Sequence, residues 1–250
     1  MIDCHTHILP AFDDGATDLE VALELIYCSH ISGVKEIFVT PHGLTNPVDA
    51  YEEHREILTR FTELQAVVRA SKLPVRLHLG MEVYVTAKMI QSFNKKQLFF
   101  MGESNYLLVE FPFESTASFM TEALVRLMRE GVLPLVAHPE RYAAVQEDPA
   151  LVYQWNQIGI CTQGNSGSLF GQFGEEAFVT LCRLLDNNLI QVLATDCHDL
   201  QVRVPNLRKA TEFITTHYSK GLARLLTEVN PKLLVQNEEL LIVNPKNPWG

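Results

Sequence analysis

The sequence predicts an α/β fold, and within that class it favours a barrel over a doubly wound sheet. Seven short apolar segments alternate with longer segments of helical periodicity along the chain. Nearly continuous apolar segments of this length are typical of parallel strands that are buried on both faces. Neither GxGxxG after the first strand nor GxxxxGKS/T is present, so the phosphate-binding loops of nucleotide-binding sheets are missing.

The predicted strands are rich in aliphatic, aromatic and β-branched residues, and polar or turn-forming residues follow most of them. The stretch from Leu98 to Met101 is a candidate for a short additional strand. In chain order the seven strands lie in MIDCHTHIL, KEIFVTPH, VRLHLGMEVYV, YLLVEFPF, LPLVAHPER, ICTQGN and IQVLATDCH.

The segments between most of these strands carry apolar residues at helical spacing. Thr17 and Glu20 have the spacing of a capping box at the start of the first helix, and Gly131 ends the helix before the fifth strand. The predicted helices are TDLEVALELIYCSHISG, VDAYEEHREILTRFTELQAVVRAS, TASFMTEALVRLMREG, PALVYQWNQIG, EEAFVTLCRLLDNN and a closing pair from about Pro205 to Asn237.

Composition and charge suit one soluble domain over residues 1–250. Apolar runs such as YLLVEF are too short to cross a bilayer, and no basic and apolar leader opens the chain, so we expect a cytoplasmic protein without membrane insertion. A net charge of −10 without a Lys/Arg cluster argues against nucleic-acid binding. The five scattered cysteines lack a CxxC pair, which argues against disulfides and zinc fingers.

Histidines and carboxylates recur at the C-terminal ends of the predicted strands. In a parallel barrel those ends converge on one face, where active sites are built. One histidine at a strand end is usually an ordinary polar residue, but a coincidence at six of the seven ends predicts a metal site. Residues two apart in a strand point to the same side. The candidate ligands at the strand ends are His5, His7, His42, Glu82, Glu110, His138, Asp196 and His198.

The chemistry of these donors indicates which ions they bind. Imidazole and carboxylate without thiolate favour zinc, manganese or iron. Cys4 and Cys197 adjoin candidate ligands, but neighbours in a strand face opposite sides, so we expect packing thiols there. Asp14 is a ninth candidate, with Asp13 as the competing choice. Nine ligands exceed the need of one or two ions, so we expect a cluster of three divalent ions.

Two arginines, Arg141 and Arg203, follow the strand ends that carry His138 and His198. Three divalent cations facing four carboxylates and one hydroxide would leave the site slightly positive, which suits a phosphate dianion. The planar guanidinium fork fits phosphate oxygens. We therefore expect both arginines to bind the substrate phosphate and to take part in catalysis, with a surface or ion-paired arginine as the alternative.

A cysteine-based phosphatase is rejected from the same region. Cys197 and Arg203 have the Cx5R spacing of such enzymes, but the residues between them include no glycine, and Val204 follows the arginine in place of Ser or Thr. The sequence also lacks GxSxG and HExxH, which argues against serine hydrolases and zincin proteases.

Seven motifs occur in order over nearly the whole chain, namely DCHTHILPAFDDG, VTPHG, GMEVYV, LLVEFPF, PLVAHPERY, GNSGSLFGQFG and ATDCHDLQVRVPNL. Together they resemble those of the polymerase-and-histidinol-phosphatase (PHP) superfamily. Within it, they are most similar to the bacterial manganese-dependent protein-tyrosine phosphatases of capsule and exopolysaccharide operons. The sequence departs from that pattern at Ala11, Phe12, Gly43 and Cys197, and none of these departures removes a ligand.

The resemblance implies a distorted (β/α)7 barrel of the PHP type with three ions, Mn2+ in preference to Fe or Zn. Arg141 and Arg203 match the family's phosphate-binding arginines. By analogy, the first ion is held by His5, His7, Glu82 and Asp196, the second by Glu82, Glu110 and His138, and the third by Asp14, His42 and His198.

The resemblance also implies a substrate, the phosphotyrosine of a cognate capsule or exopolysaccharide tyrosine kinase. Hydrolysis by a metal-bound hydroxide is the mechanism we expect, since bound cations lower the pKa of water to about 7. Asp199, a ligand histidine or a water could assist the leaving group. The alternatives are a small-molecule phosphomonoesterase such as a histidinol-phosphate phosphatase, and a non-catalytic regulatory binding protein. The sequence leaves an oligomeric state open.

Overall fold

The computed structural model describes residues 1–43 and 50–250, and within them it has a mixed α/β fold with parallel strand pairs. The α/β class is thus confirmed, but the described strands form two separate sheets and no closed barrel. The first sheet has the order β1 (Ile2–Asp3), β2 (Glu36–Val39) and β4 (Arg76–Leu79). The second has the order β3 (His42–Gly43), β5 (Glu82–Tyr84), β6 (Tyr106–Glu110), β7 (Leu133–Ala137), β8 (Cys161–Asn165) and β9 (Val192–Ala194).

Two sheets arise because the second and third predicted strands are each divided in the middle. Pro41 separates β2 from β3, and Gly80 lies between β4 and β5. A Cβ on Gly80 would lie 2.9 Å from Sδ of Met101, so the backbone passes too close for a side chain. The two divided strands stay hydrogen-bonded to each other at the break, where the amide of Glu82 donates to the carbonyl of Pro41 at 3.0 Å.

The segments that follow β1 and β9 also contact each other. Thr6 and Cys197 form an isolated parallel bridge, and the amide of Asp196 donates to the carbonyl of His5 at 2.8 Å. These contacts bring the first and last strand ends together.

Helices fill the connections between the strands and cover the sheets. Their bounds are α1 (Leu19–Ile31), α2 (Ala50–Ala70), α3 (Ala87–Gln91), α4 (Ala117–Arg129), α5 (Ala143–Glu147), α6 (Ala150–Gln157), α7 (Glu175–Asp186), α8 (Leu207–His217), α9 (Lys220–Arg224) and α10 (Asn230–Val235). Short 3-10 helices span Lys95–Gln97, Pro139–Arg141 and Ser166–Phe170, and a π-helical turn spans Leu225–Val229. None of the described helices has the length and apolarity to span a membrane.

Three predicted boundaries differ from the structure or fall outside it. Asp18, and not Thr17, caps α1, because its side chain accepts a hydrogen bond from the amide of Val21. The stretch from Leu98 to Met101 has no strand structure. The predicted start of the second helix at Val48 lies outside the described residues.

The core lies on both sides of the strands. One cluster packs the helices onto the sheets and includes Leu25, Leu124 and Trp155, while a second, smaller cluster includes Phe38 and Leu108. With both strand faces covered by apolar side chains, the C-terminal strand ends are left to carry the polar residues.

Candidate metal centre

The nine residues predicted as metal ligands lie together at the C-terminal ends of the strands. Most are buried, and Asp14 is the exposed member, with 62% of its side chain accessible. In each of three groups the ligand-type atoms lie within 4.8 Å of one another: His7, Asp14, His42 and His198; His5, His7 and Asp196; and His42, Glu82 and Glu110.

Glu82 lies at the centre of this cluster and is almost fully buried. Its Oε2 atom is 3.3 Å from Nε2 of both His5 and His7, and 3.0 Å from Nδ1 of His42. Its Oε1 atom is 3.0 Å from Nε2 of His138. One carboxylate therefore faces four histidines, two from the segment after β1 and one each from β3 and the end of β7, an arrangement that suits a ligand shared between ions.

Asp196 and Asp14 are the two aspartates that lie close to the histidines of this cluster. Oδ1 of Asp196 lies 3.4 Å from Nε2 of His5 and of His7. Oδ1 of Asp14 lies 3.2 Å from Nε2 of His198 and 3.4 Å from Nε2 of His42. Each aspartate thus offers one oxygen to two of the histidines.

Asp13 has a different position from its neighbour Asp14. Its Oδ2 atom accepts hydrogen bonds from Nδ1 of His7 at 2.8 Å and from the amide of His42 at 3.0 Å, while Oδ1 accepts from the amide of Gly15. Both oxygens of Asp13 are occupied within the protein. Burial opposes its charge, but His7 and the amides of His42 and Gly15 together outweigh burial and lower the pKa of Asp13 to about 2. The geometry therefore favours Asp14 as the ligand and gives Asp13 the task of orienting His7.

Three histidines have acceptors at Nδ1 that leave Nε2 directed into the cluster. His7 donates to Asp13, His5 donates to Oε1 of Gln163 at 2.8 Å, and His198 donates to the carbonyl of Asp196 at 3.0 Å. Metal-binding histidines are commonly oriented in this way, because the second ring nitrogen fixes the tautomer.

Gln163 and Asn165 at the end of β8 complete the site, and neither is among the predicted site residues. Nδ2 of Asn165 donates to Oδ2 of Asp196 at 2.8 Å, and Gln163 holds His5 as described. Their strand end was the one without a histidine or carboxylate in the sequence pattern. The position of β8 among the strand C-termini is the available sequence signal, but amide side chains are not typical ligands of these metals.

The electrostatics of the cluster suit a bound cation. Burial opposes the charge on His42, but Asp14 and Glu82 outweigh it and raise the pKa of His42 to about 10. Burial and the nearby Glu82 raise the pKa of Glu110 to about 7, and burial lowers the pKa of His138 to about 4. Buried carboxylates and imidazoles this close together are costly without a neutralising charge.

Unpartnered polar atoms point to the same conclusion. Within the described residues, Oδ1 of Asp196 and Nε2 of His198 are buried with no partner in hydrogen-bonding geometry. His138 and Asp196 also adopt positive φ angles of 33° and 52°, a strained conformation for residues with a side chain. The donor set, its orientation and its unpartnered atoms all fit divalent metal ions.

Both predicted arginines lie beside the cluster and contact Oδ2 of Asp196. Nη2 of Arg203 makes the closer contact, and Nη1 of Arg141 lies at 3.5 Å. Asp196 therefore turns one oxygen toward the histidines and the other toward the arginines. This arrangement places two guanidinium groups at the edge of the candidate metal site.

The neighbouring thiol and carboxyl groups have other tasks. Cys197 is fully buried, and burial raises the pKa of its thiol to about 12, which suits an inert packing residue. Asp199 accepts hydrogen bonds from the amides of Gln201, Val202 and Arg203. Partial burial opposes its ionisation, but these donors outweigh burial and lower the pKa of Asp199. Asp199 therefore shapes the loop of Arg203 and is poorly suited to be a general acid.

Two departures from the family pattern have structural consequences. Ala11 adopts a φ of 52°, a conformation in which glycine is less strained. At Gly43, an added Cβ would lie 2.4 Å from Sδ of Met81, so a larger residue there would require Met81 to move. Neither position belongs to the cluster of ligand-type atoms.

Comparison with known proteins identifies the family. The model for "Capsular polysaccharide synthesis, CpsB/CapC" matches residues 1–236. The chain belongs to the CpsB/CapC family. Among relatives, tyrosine-protein phosphatase YwqE of Bacillus subtilis (strain 168) is 31% identical over 246 residues, 98% of this chain and 96% of YwqE. Tyrosine-protein phosphatase CpsB of Streptococcus pneumoniae is 28% identical over 243 residues, 95% of this chain and 99% of CpsB.

Solved structures agree with the CpsB/CapC assignment. The chain matches a crystal structure from work on YwqE of Bacillus subtilis and CpsB of Streptococcus pneumoniae. Those two proteins are described as unique metal-dependent tyrosine phosphatases. The TM-score is 0.84 at 30% identity, and the match covers 99% of both chains. A β-aspartyl dipeptidase from Fervidobacterium islandicum AW-1 shares the fold alone, with a TM-score of 0.52 at 13% identity over 99% of this chain and 75% of the other. The family predicted from the sequence motifs is confirmed.

Proposed function

We propose that the chain is a metal-dependent protein-tyrosine phosphatase that hydrolyses phosphotyrosine on a protein substrate. The observation that carries this proposal is the shared carboxylate of Asp196, whose Oδ1 faces the histidines and whose Oδ2 faces Arg141 and Arg203. A site for cations and a site for phosphate are thereby adjacent. The names of the CpsB/CapC relatives support tyrosine phosphatase over the alternatives.

The donor groups support three divalent ions, with Mn2+ as the first choice and Fe or Zn as alternatives. Glu82, which faces four histidines, suits the bridge between the first two ions. We assign the first ion to His5, His7, Glu82 and Asp196, the second to Glu82, Glu110 and His138, and the third to Asp14, His42 and His198. Bound there, divalent cations would supply Lewis acidity and lower the pKa of water.

The protein's own residues bind and orient the phosphoryl group. Arg141 and Arg203 present N–H donors to its oxygens, and charge that develops on those oxygens strengthens the same hydrogen bonds. Asn165 and the arginines hold Asp196 in place through Oδ2. A tyrosyl leaving group has a pKa of about 10, which reduces the need for a protein general acid.

We also propose that the two sheets are parts of one distorted (β/α)7 barrel of the PHP type. The hydrogen bonds that join β2 and β3 to β4 and β5, and the bridge between Thr6 and Cys197, support this arrangement. We further propose a cytoplasmic protein whose substrate is a bacterial tyrosine kinase of a capsule or exopolysaccharide system.

Substrate preference tests the proposed function. Purified protein loaded with Mn2+ should release phosphate from phosphotyrosine peptides, including the tyrosine cluster of the cognate kinase, far faster than from histidinol phosphate. His138→Ala should abolish turnover, and His217→Ala, which changes an exposed histidine on α8, is the matched control. Good turnover of histidinol phosphate with none of phosphotyrosine would indicate a small-molecule phosphatase instead. No turnover of either substrate would indicate a binding protein.

A further inference from the structure

Two aromatic rings enclose the guanidinium group of Arg141. Its Cζ atom lies 4.5 Å from the ring centre of Phe113 and 4.3 Å from that of Phe173. Cζ of Arg203 lies 5.9 Å from the centre of the same Phe173 ring. One phenylalanine therefore contacts both arginines that the proposed function assigns to phosphate binding.

The backbone around Phe173 is built to place its ring at this point. Phe173 lies between the 3-10 helix Ser166–Phe170 and α7, in a turn where Gly171 has a φ of 72°. At Gly167, an added Cβ would lie 2.1 Å from Oε1 of Gln172 and 3.2 Å from Cε2 of Phe173. A side chain at Gly167 would push the Gln172 side chain aside and crowd the Phe173 ring, so glycine leaves room for the ring at this point.

Polar contacts alone fix the two arginines incompletely. Nη1 of Arg141 reaches Asp196 only at 3.5 Å, which is the limit of a hydrogen bond. Arg203 holds Oδ2 of Asp196 through Nη2 alone, because its Nε is buried and none of the described residues accepts a hydrogen bond from it. Ring contacts with Phe173 therefore supply restraint that the polar contacts lack, and they leave N–H donors of both arginines available.

We infer that Phe173 is a positioning residue that holds Arg141 and Arg203 in the orientation needed to bind a single phosphoryl group. The inference rests on the proposed phosphatase function. A guanidinium group stacked on an aromatic face keeps its in-plane N–H donors free for oxygen atoms. Holding two long side chains in place before binding also reduces the conformational entropy that phosphate binding would otherwise cost.

Substitution of the ring tests the inference on the metal-loaded protein. Phe173→Leu keeps apolar volume but removes the aromatic face, whereas Phe173→Tyr keeps the face. We expect F173L to raise KM for a phosphotyrosine peptide and to weaken the binding of inorganic phosphate, measured by calorimetry, by about tenfold each. F173Y should stay close to the wild type, and the content of bound metal should be unchanged in both variants.

Phe170 in the same segment offers a matched control, because its ring packs against Phe213 and Lys209, whereas the ring of Phe173 packs against the arginines. Phe170→Leu should leave phosphate affinity unchanged. Melting curves verify folding, and Phe173→Met replaces F173L should the latter fail to fold. In the background of Arg141→Ala, the effect of F173L on phosphate affinity should shrink, because the two residues act together.

The outcomes separate the inference from the proposed function. The inference alone is overturned if phosphate affinity falls in R141A and R203A but not in F173L. It is also overturned if F173L and F173Y lower phosphate affinity equally. Phosphate affinity that is unchanged in R141A and R203A overturns the phosphate-binding role of the arginines and the inference with it.

Discussion

Oδ2 of Asp13 lies 2.8 Å from Nδ1 of His7, which turns Nε2 of His7 toward Glu82 and Asp196. The adjacent Asp14 has no such task and faces His42 and His198 instead. Two consecutive aspartates therefore face the same cluster in different ways: Asp13 orients a histidine, and Asp14 directs a carboxylate oxygen toward two others.

Substitution of each aspartate should separate these two tasks. Asp14→Ala removes a ligand, so we expect one bound ion fewer per chain than in the wild type. Asp13→Ala should keep the number of ions but weaken their affinity by about 10- to 100-fold, because it frees the His7 ring. Elemental analysis after dialysis, together with metal titration, measures both effects. Loss of an ion in D13A with a full complement in D14A would reverse the assignment.

The two arginines should each matter for turnover. We expect Arg141→Ala and Arg203→Ala to lower kcat/KM for a phosphotyrosine peptide by about 100-fold or more, since each removes a donor to the phosphoryl oxygens. Arg141→Lys should restore little, because an ammonium group lacks the planar fork. Arg76→Ala, at an exposed position on β4, serves as the control for steady-state kinetics. Wild-type kinetics in both alanine variants would contradict the role of these residues.

Glu140 lies beside Arg141 and is fully buried. Its Oε1 atom accepts hydrogen bonds from the amide of Asn165 at 2.9 Å and from Oγ of Ser168 at 2.7 Å. Its Oε2 atom has no hydrogen-bond partner among the described residues. Burial raises the pKa of Glu140 from 4.5 to about 7.

This raised pKa predicts a loss of stability with rising pH. Between pH 4.5 and about 7, the folded state keeps a proton that the unfolded chain has released. The contribution of Glu140 to the free energy of unfolding is therefore fully present below pH 4.5 and falls as pH rises through this window. Against Glu140→Gln, metal-free wild-type protein should lose on the order of 1–3 kcal/mol between pH 4.5 and 8. Urea denaturation at several pH values measures this difference, and parallel pH profiles would contradict it.

Positions at strand ends were the part of the site that the sequence could predict. His5, His7, Asp196 and His198 come together because parallel strands end on one face, and this follows from apolar segments and short spacings alone. The choice of Asp14 over Asp13 needed the structure, since both follow the first strand and only the folded turn decides which carboxylate meets His7.

Supporting residues were harder to predict for physical reasons. Gln163 and Asn165 are amides in a buried strand, and only their partners reveal that they orient His5 and Asp196. Phe173 lies in a turn whose path depends on glycines, and a sequence pattern does not give ring-to-guanidinium distances. The division of the strands at Pro41 and Gly80 likewise depends on close backbone approach.

Metal dependence of phosphotyrosine hydrolysis is the measurement that tests this account most directly. Protein treated with a chelator and then titrated with Mn2+ should show no phosphate release from a phosphotyrosine peptide at first, and activity should then rise in proportion to bound metal. His138→Ala should stay inactive at every Mn2+ concentration. Metal-dependent hydrolysis would be contradicted by full activity of a protein sample that elemental analysis shows to be free of metal.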